Sequence, residues 1–180
     1  MEWFLRRWLG AGWLVEARVA ESYGELAQLL GSGGADIGWT PPLVGARVEA
    51  LGGRVLVRVV RGGATTFRAA IVGARRRPVE PRALRGLRAA WVDRESTAGY
   101  LLPRAWVRSA GADPDRVFAS EAFAGTHQAA LQMVLDDRAD LTGVFAAAAS
   151  APAYTALDDL PASDRARLNI VGYTMEARTT

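Results

Sequence analysis

The chain has no cysteine, no lysine and a single histidine. Without cysteine there is no disulfide, no thiol nucleophile, no thiolate metal site and no attachment point for a lipid. His127 stands alone and the carboxylates are not clustered, so no metal site and no other cofactor is expected. Every basic residue is arginine, and apart from Arg75-Arg76-Arg77 the arginines are scattered. No basic stripe interleaved with aromatic residues exists, which disfavours nucleic acid as a partner. The arginine triplet is expected to be a solvated linker. No apolar run approaches the roughly 20 residues that span a bilayer, so membrane insertion is not expected.

The first residues, MEWFLRRWLGAGWLV, have arginines followed by apolar residues, as a secretory leader does. The apolar part is short, and Glu2 and Glu16 are badly placed for that purpose. The segment reads better as an amphipathic helix over Trp3–Leu9 and a strand over Leu14–Val19.

The 180 residues are half hydrophobic and carry a net charge of +3, enough for one sizeable core or two small lobes. Ser22 caps a helix, with Glu25 as its capping-box partner and Leu26, Leu29 and Leu30 on the apolar face. Ala35–Trp39 reads as a short buried strand. Thr40-Pro41-Pro42 opens a helix running to about Leu51, with proline in the first turn, where a missing N–H costs least. Strands over Val55–Val60 and Phe67–Val72 follow. Alternating helix and strand predicts a largely parallel sheet covered by helices. Residues 73–82, GARRRPVEPR, form a linker. Beyond it come strands over Leu87–Val92, Val117–Glu121, Asp140–Val144 and Leu168–Tyr173. Helices are expected over Ala98–Ala110, Thr126–Asp136 and the alanine-rich Phe145–Ala149. The divisions are 1–75 as a first lobe, 76–172 as a second lobe and 173–180 as the start of a return to the first.

The chemistry concentrates in WVDRESTAGYLLPRAWVR, residues 91–108. Ser96-Thr97-Ala98-Gly99 falls where a strand ends and a helix begins. First-turn N–H groups lack intrahelical acceptors and carry partial positive charge. Small residues admit a ligand and hydroxyls add donors, which suits an oxyanion such as phosphate, phosphonate or sulfate. A plain helix cap at Ser96 explains the same residues. A second helix start, Phe123-Ala-Gly-Thr126-His127-Gln128, puts His127 beside exposed N–H groups. A neutral imidazole donates one hydrogen bond there, and the dipole disfavours its protonation unless an anion is bound. An exposed histidine in a capping region is the alternative.

Four segments together resemble the phosphate/phosphite/phosphonate-type substrate-binding proteins of ABC importers. They are SYGELAQLLGSGGADIGWTPPLVGAR (22–47), TTFRAAIV (65–72), LRGLRAAWVDRESTAGYLLPRAWVRSAGADP (84–114) and FAGTHQAALQMVLDDRADLTGV (123–144). The resemblance implies an α/β, two-lobe periplasmic-binding-protein-like type II fold that closes on its anion by a hinge. It implies that Ser96, Thr97 and the amides of Ala98 and Gly99 hold the oxyanion, with Thr126 and His127 reaching it from the second helix. From the first lobe it implies Tyr23, Trp39, Thr40 and Phe67, the last at a position where the family often has tyrosine. Core packing is the other reading of Trp39 and Phe67. Hinge strands are expected at Val72–Pro78 and Tyr173–Ala177.

Relative to that family the chain reads as truncated at both ends, with the first lobe incomplete. An open lobe predicts an exposed sheet edge, and hence a homodimer or poor solubility. The implied partners are a small phosphorus oxyanion, a permease and an ATPase. The implied location is periplasmic, or cytoplasmic if the sequence is complete. No catalytic residues are expected. The rival functions are a cytoplasmic ligand-sensing domain and a small enzyme on the same fold, for which Asp93, Glu95 and His127 are the acid/base candidates.

Overall fold

The computed structural model describes residues 7–9 and 12–179. The helix expected over Trp3–Leu9 lies largely outside these, although residues 7–9 are helical.

Two helices follow, α1 (Tyr23–Gly31) and α2 (Pro42–Ala50), packed on one another. Ser22 caps α1 by accepting a hydrogen bond from the Glu25 amide at 3.1 Å. The Glu25 carboxylate turns back to accept from the Glu21 amide at 2.6 Å, one residue earlier than a standard capping box. Pro42 opens α2.

The stretches between and beyond these helices depart from expectation. Trp13–Val19, Ala35–Trp39 and Val55–Val60 run without helical structure but form no strand among the described residues. Their β-branched and aliphatic residues favour an extended chain, but a strand exists only when a neighbour completes its ladder. Apolar side chains stay in the open as a result: Leu14 is 88% exposed, Val19 92% and Val57 81%.

All of the sheet lies from residue 66 onward. It is six-stranded, in the order β3-β2-β4-β1-β5, with β6 also on β1. The strands are β1 (Thr66–Ala74), β2 (Arg88–Trp91), β3 (Ser120–Phe123), β4 (Leu141–Ala147), β5 (Leu168–Tyr173) and β6 (Ala177–Arg178). β2 runs parallel to β3 and β4, whereas β1 runs antiparallel to β4, β5 and β6, so the sheet is mixed rather than largely parallel. β1, grouped by sequence with the first lobe, is bonded along both edges within this sheet, and beyond residue 66 its residues are nearly all buried. The expected hinge stretches are also tied in. Val72–Ala74 pairs with Leu168–Ile170, and Thr174 exchanges hydrogen bonds of 2.9 Å with Ala69. Any hinge there bends a paired ribbon rather than a loose loop.

Side chains alternate across the sheet, and each face takes one helix. On one face Ala70, Val72, Ala90, Val92 and Val144 meet Leu131 and Val134 of α4 (His127–Leu135). On the other, Ala89, Trp91 and Leu141 meet Val107 of α3 (Leu102–Ser109). Gly143 lets α3 approach closely, because a Cβ there would lie 2.2 Å from Pro103 Cγ. Gly111, at φ +85°, turns the chain out of α3. The alanine run Phe145–Ala149, expected to be helical, instead prolongs β4 to Ala147, because Phe145 and Ala147 pair with Ala69 and Phe67 of β1.

The arginine triplet is not a free linker. Arg76 pairs with Asp137, and Arg77 with the buried Asp140, while Arg75 donates to the carbonyls of Ala166 and Leu168. Asp140 also accepts from the Arg88 side chain and backbone, and Arg88 foremost holds its carboxyl below the usual carboxylate range.

Candidate functional site

α3 is preceded by a wide turn over Thr97–Leu101, in which the Leu101 and Leu102 amides donate five residues back to the Ser96 and Thr97 carbonyls. Such π-type turns recur at functional sites. Pro103 has no N–H to give the Gly99 carbonyl four residues back, and that carbonyl accepts from Val92 at 3.3 Å instead. The turn is thereby fastened to the end of β2. Ser96 is buried, and its Oγ accepts from the Gly99 amide at 3.0 Å. Its O–H is left to donate. Ser96 is therefore a helix cap, and the cap itself lines the cavity described below.

α4 starts in the same way. Thr126 Oγ1 accepts from the Ala129 amide at 3.1 Å, so the His127 and Gln128 amides belong to a first turn with no intrahelical acceptor. Both helix starts open into one cavity of about 710 Å³. Tyr23, Trp39, Thr40, Phe67, Ser96, Thr97, Ala98, Thr126 and His127 line it, so among the expected ligand residues only Gly99 is absent. The reason is that the Gly99 amide is held by Ser96, and a Cβ at Gly99 would lie 2.3 Å from Val92. Its contribution is close packing of the turn rather than a free donor.

Two polar atoms at the helix starts, Thr97 Oγ1 and His127 Nδ1, are buried without a hydrogen-bond partner. Leaving such atoms unsatisfied costs about 1–3 kcal/mol each. Burial lowers the His127 pKa, with the nearby Gly143 carbonyl opposing it, so the ring favours its neutral form. The Tyr23 hydroxyl is raised first by burial and then by the Asp93 carboxylate, while Ser96 beside it acts in the opposite sense. Tyr23, at the start of α1, thus stands over the Ser96 turn from the first lobe. Arg47 of α2 makes a second bridge to the residues before this turn, an ion pair with Glu95.

The acid/base candidates do not assemble. Asp93 Oδ1 accepts from the Glu95 amide at 2.7 Å, Glu95 is engaged by Arg47, and neither lines the cavity. Trp39 and Phe67 part company: Phe67 is 5% exposed and stacked at 5.7 Å on Phe145, whereas Trp39 is 61% exposed. Phe67 is thus core and cavity wall at once, and Trp39 is not core.

Sequence reading missed Arg61, Gln128, Phe145, Tyr154 and Asp159, which also line the cavity. Gln128 follows His127 in the first turn of α4 and was within reach of the helix-start reasoning. Arg61 and Tyr154 stand in loops, Phe145 in the strand whose sequence predicts helix, and Asp159 at the end of a short 3-10 helix, Ala156–Asp159.

A family model for the periplasmic phosphonate substrate-binding protein of ABC transporters matches residues 3–178. Among solved structures, PhnD1 from Prochlorococcus marinus in complex with methylphosphonate is similar, with a TM-score of 0.75 and 17% identity over 99% of this chain and 66% of that one. A binding protein component of an ABC phosphonate transporter from Pseudomonas aeruginosa has a TM-score of 0.72 and 16% identity, over 93% of this chain and 56% of its own. XAC2383 from Xanthomonas citri bound to ATP has a TM-score of 0.64 and 22% identity, over 91% and 62%. The chain therefore spans between just over half and about two thirds of these proteins, which share its mixed α/β architecture.

Proposed function

Because the chain belongs to the periplasmic phosphonate substrate-binding proteins of ABC transporters, a family of binding proteins rather than enzymes, we propose that it is the solute-binding component of an ABC importer. It takes a phosphorus oxyanion in the inter-lobe cavity and presents it to a permease and ATPase, in the periplasm. The observation that carries this reading is the convergence of two helix starts on one cavity, with the buried Thr97 Oγ1 and His127 Nδ1 left without partners.

The chemistry follows from that convergence. First-turn amides of α4 and of the turn before α3, together with the Ser96, Thr97 and Thr126 hydroxyls, supply neutral donors. His127 adds one N–H in its neutral form. Fixed dipoles hold an anion without a buried counter-charge, which would be costly to desolvate. The absence of lysine is compatible with this design. Tyr23 and Thr40 close the site from the first lobe, and Phe67 forms its apolar floor. The open first lobe, with Leu14, Val19 and Val57 exposed, supports association with a second copy.

The test is calorimetric titration of the purified chain with phosphate, phosphite and methylphosphonate, with sulfate as control. Selective binding at micromolar Kd or tighter, about −8 kcal/mol, is the expected result. A folded chain that binds none of them, or binds sulfate equally, contradicts the reading.

A further inference from the structure

Away from the helix starts, one wall of the cavity is built from aromatic rings and the Arg61 guanidinium. It starts at the Ala98 side chain in the anion turn and continues through Phe67, which packs on Ala98. Phe67 stacks on Phe145 at 5.7 Å with 21° between the rings, and the Arg61 guanidinium lies 4.6 Å from the centroid of Phe145. Tyr154 stands 6.1 Å from Phe145, its hydroxyl bonded to the Asp159 carboxylate. Arg61 is exposed and lines the same cavity, its guanidinium lies against this ring, and its charge acts on the nearby Tyr154 hydroxyl.

A flat stack of two phenyl rings and a guanidinium therefore leads away from the oxyanion end. The cavity volume of about 710 Å³ is in the upper part of the range that accommodates drug-sized ligands, far more than a methyl substituent fills. Guanidinium is planar and weakly hydrated, and it stacks on π-systems in a way that ammonium does not. We propose that this wall selects the substituent of the ligand: the chain prefers a phosphorus oxyanion that carries a planar aromatic group, and Arg61 is the residue that reads that group by stacking on it. Trp39, exposed on the first-lobe side of the same cavity, covers the opposite face of the substituent. This inference rests on the oxyanion reading of the helix starts.

The experiment compares three ligands with one head group, methylphosphonate, phenylphosphonate and cyclohexylphosphonate, by calorimetry. The two ring compounds match in size and differ in π-character. Phenylphosphonate is expected to bind about five-fold tighter than cyclohexylphosphonate, as a partly exposed cation–π contact implies. In Arg61→Leu that ratio is expected to fall below about two. Arg61 is on the surface, and a circular dichroism spectrum matching the parent establishes that the variant is folded. A parent ratio near one, or a ratio that survives Arg61→Leu, overturns the inference. Binding of methylphosphonate with exclusion of both ring compounds also overturns it while leaving the oxyanion reading intact. Binding of none of the three removes the oxyanion reading, and this inference with it.

Discussion

Two aliphatic stretches of this chain have opposite fates. Ala69-Ala70-Ile71-Val72 in β1 is bonded on both edges and almost wholly buried. Val55-Leu56-Val57-Arg58-Val59-Val60 makes no ladder among the described residues and leaves Leu56, Val57 and Val60 in solvent. Strand preference is stronger in the valine-rich second stretch than in the first, which is half alanine, so preference does not decide the outcome and the difference is one of neighbours. β4 and β5 complete β1, and burial follows from pairing. The same contrast divides the site. Its helix-start donors sit on the sheeted part, fastened by Val92, Gly143 and the caps, whereas Tyr23, Trp39 and Thr40 sit on the part without a ladder.

The largest expected effect tests this contrast directly. Leu131→Ala empties a wholly buried position against the sheet and is expected to cost about 2–5 kcal/mol in urea denaturation. Leu56→Ala, 58% exposed, is expected to change stability by no more than about 0.5 kcal/mol. Similar costs for the two would break the comparison.

Next in size is the oxyanion end. Ser96→Ala combined with Thr97→Ala is expected to weaken phosphonate binding by about 1.5–3 kcal/mol for each charge-assisted hydrogen bond lost. Calorimetry on the double variant reads this, and unchanged affinity would place the ligand elsewhere.

His127 gives a pH signature. Its folded pKa lies below the ordinary 6.5 because burial disfavours the imidazolium. The unfolded chain therefore binds the proton more readily, and ligand-free stability is full above pH 6.5 and falls as the pH drops toward the folded value. His127→Gln is expected to flatten that part of the urea-midpoint profile. An identical slope in the variant would mean that another group titrates there.

The smallest effect is at the bridge between the two parts. Arg47 is half exposed, so Arg47→Ala is expected to cost only about 0.2–1 kcal/mol, and less at high salt. A loss of several kcal/mol would show that the first part depends on this pair far more than its exposure implies.

What was legible in the sequence was local. Ser22, Ser96 and Thr126 announce their turns because caps act within a few residues, and both helix starts of the site are legible that way. Leu168–Tyr173 also stands as read. What escaped was nonlocal. Alanine favours helix by itself, but Phe145–Ala147 is a strand because β1 lies beside it. β3 begins three residues later than the apolar pattern of Val117–Glu121 suggests, since its register is set by β2. Arg77 is exposed as its sequence suggests, but its ion pair with Asp140, far along the chain, has no local signature. Arg61 and Tyr154 reach the cavity only through the path of the backbone, and Asp159 through a short 3-10 helix, Ala156–Asp159.

The most direct measurement is an amide correlation NMR spectrum of the labelled chain titrated with methylphosphonate. The account predicts saturable shifts centred on Thr97, Ala98, His127 and Gln128, with smaller ones at Tyr23 and Thr40. Shifts confined to other residues, such as the apolar stretch Val55–Val60, or none at the two helix starts while binding saturates, would contradict it.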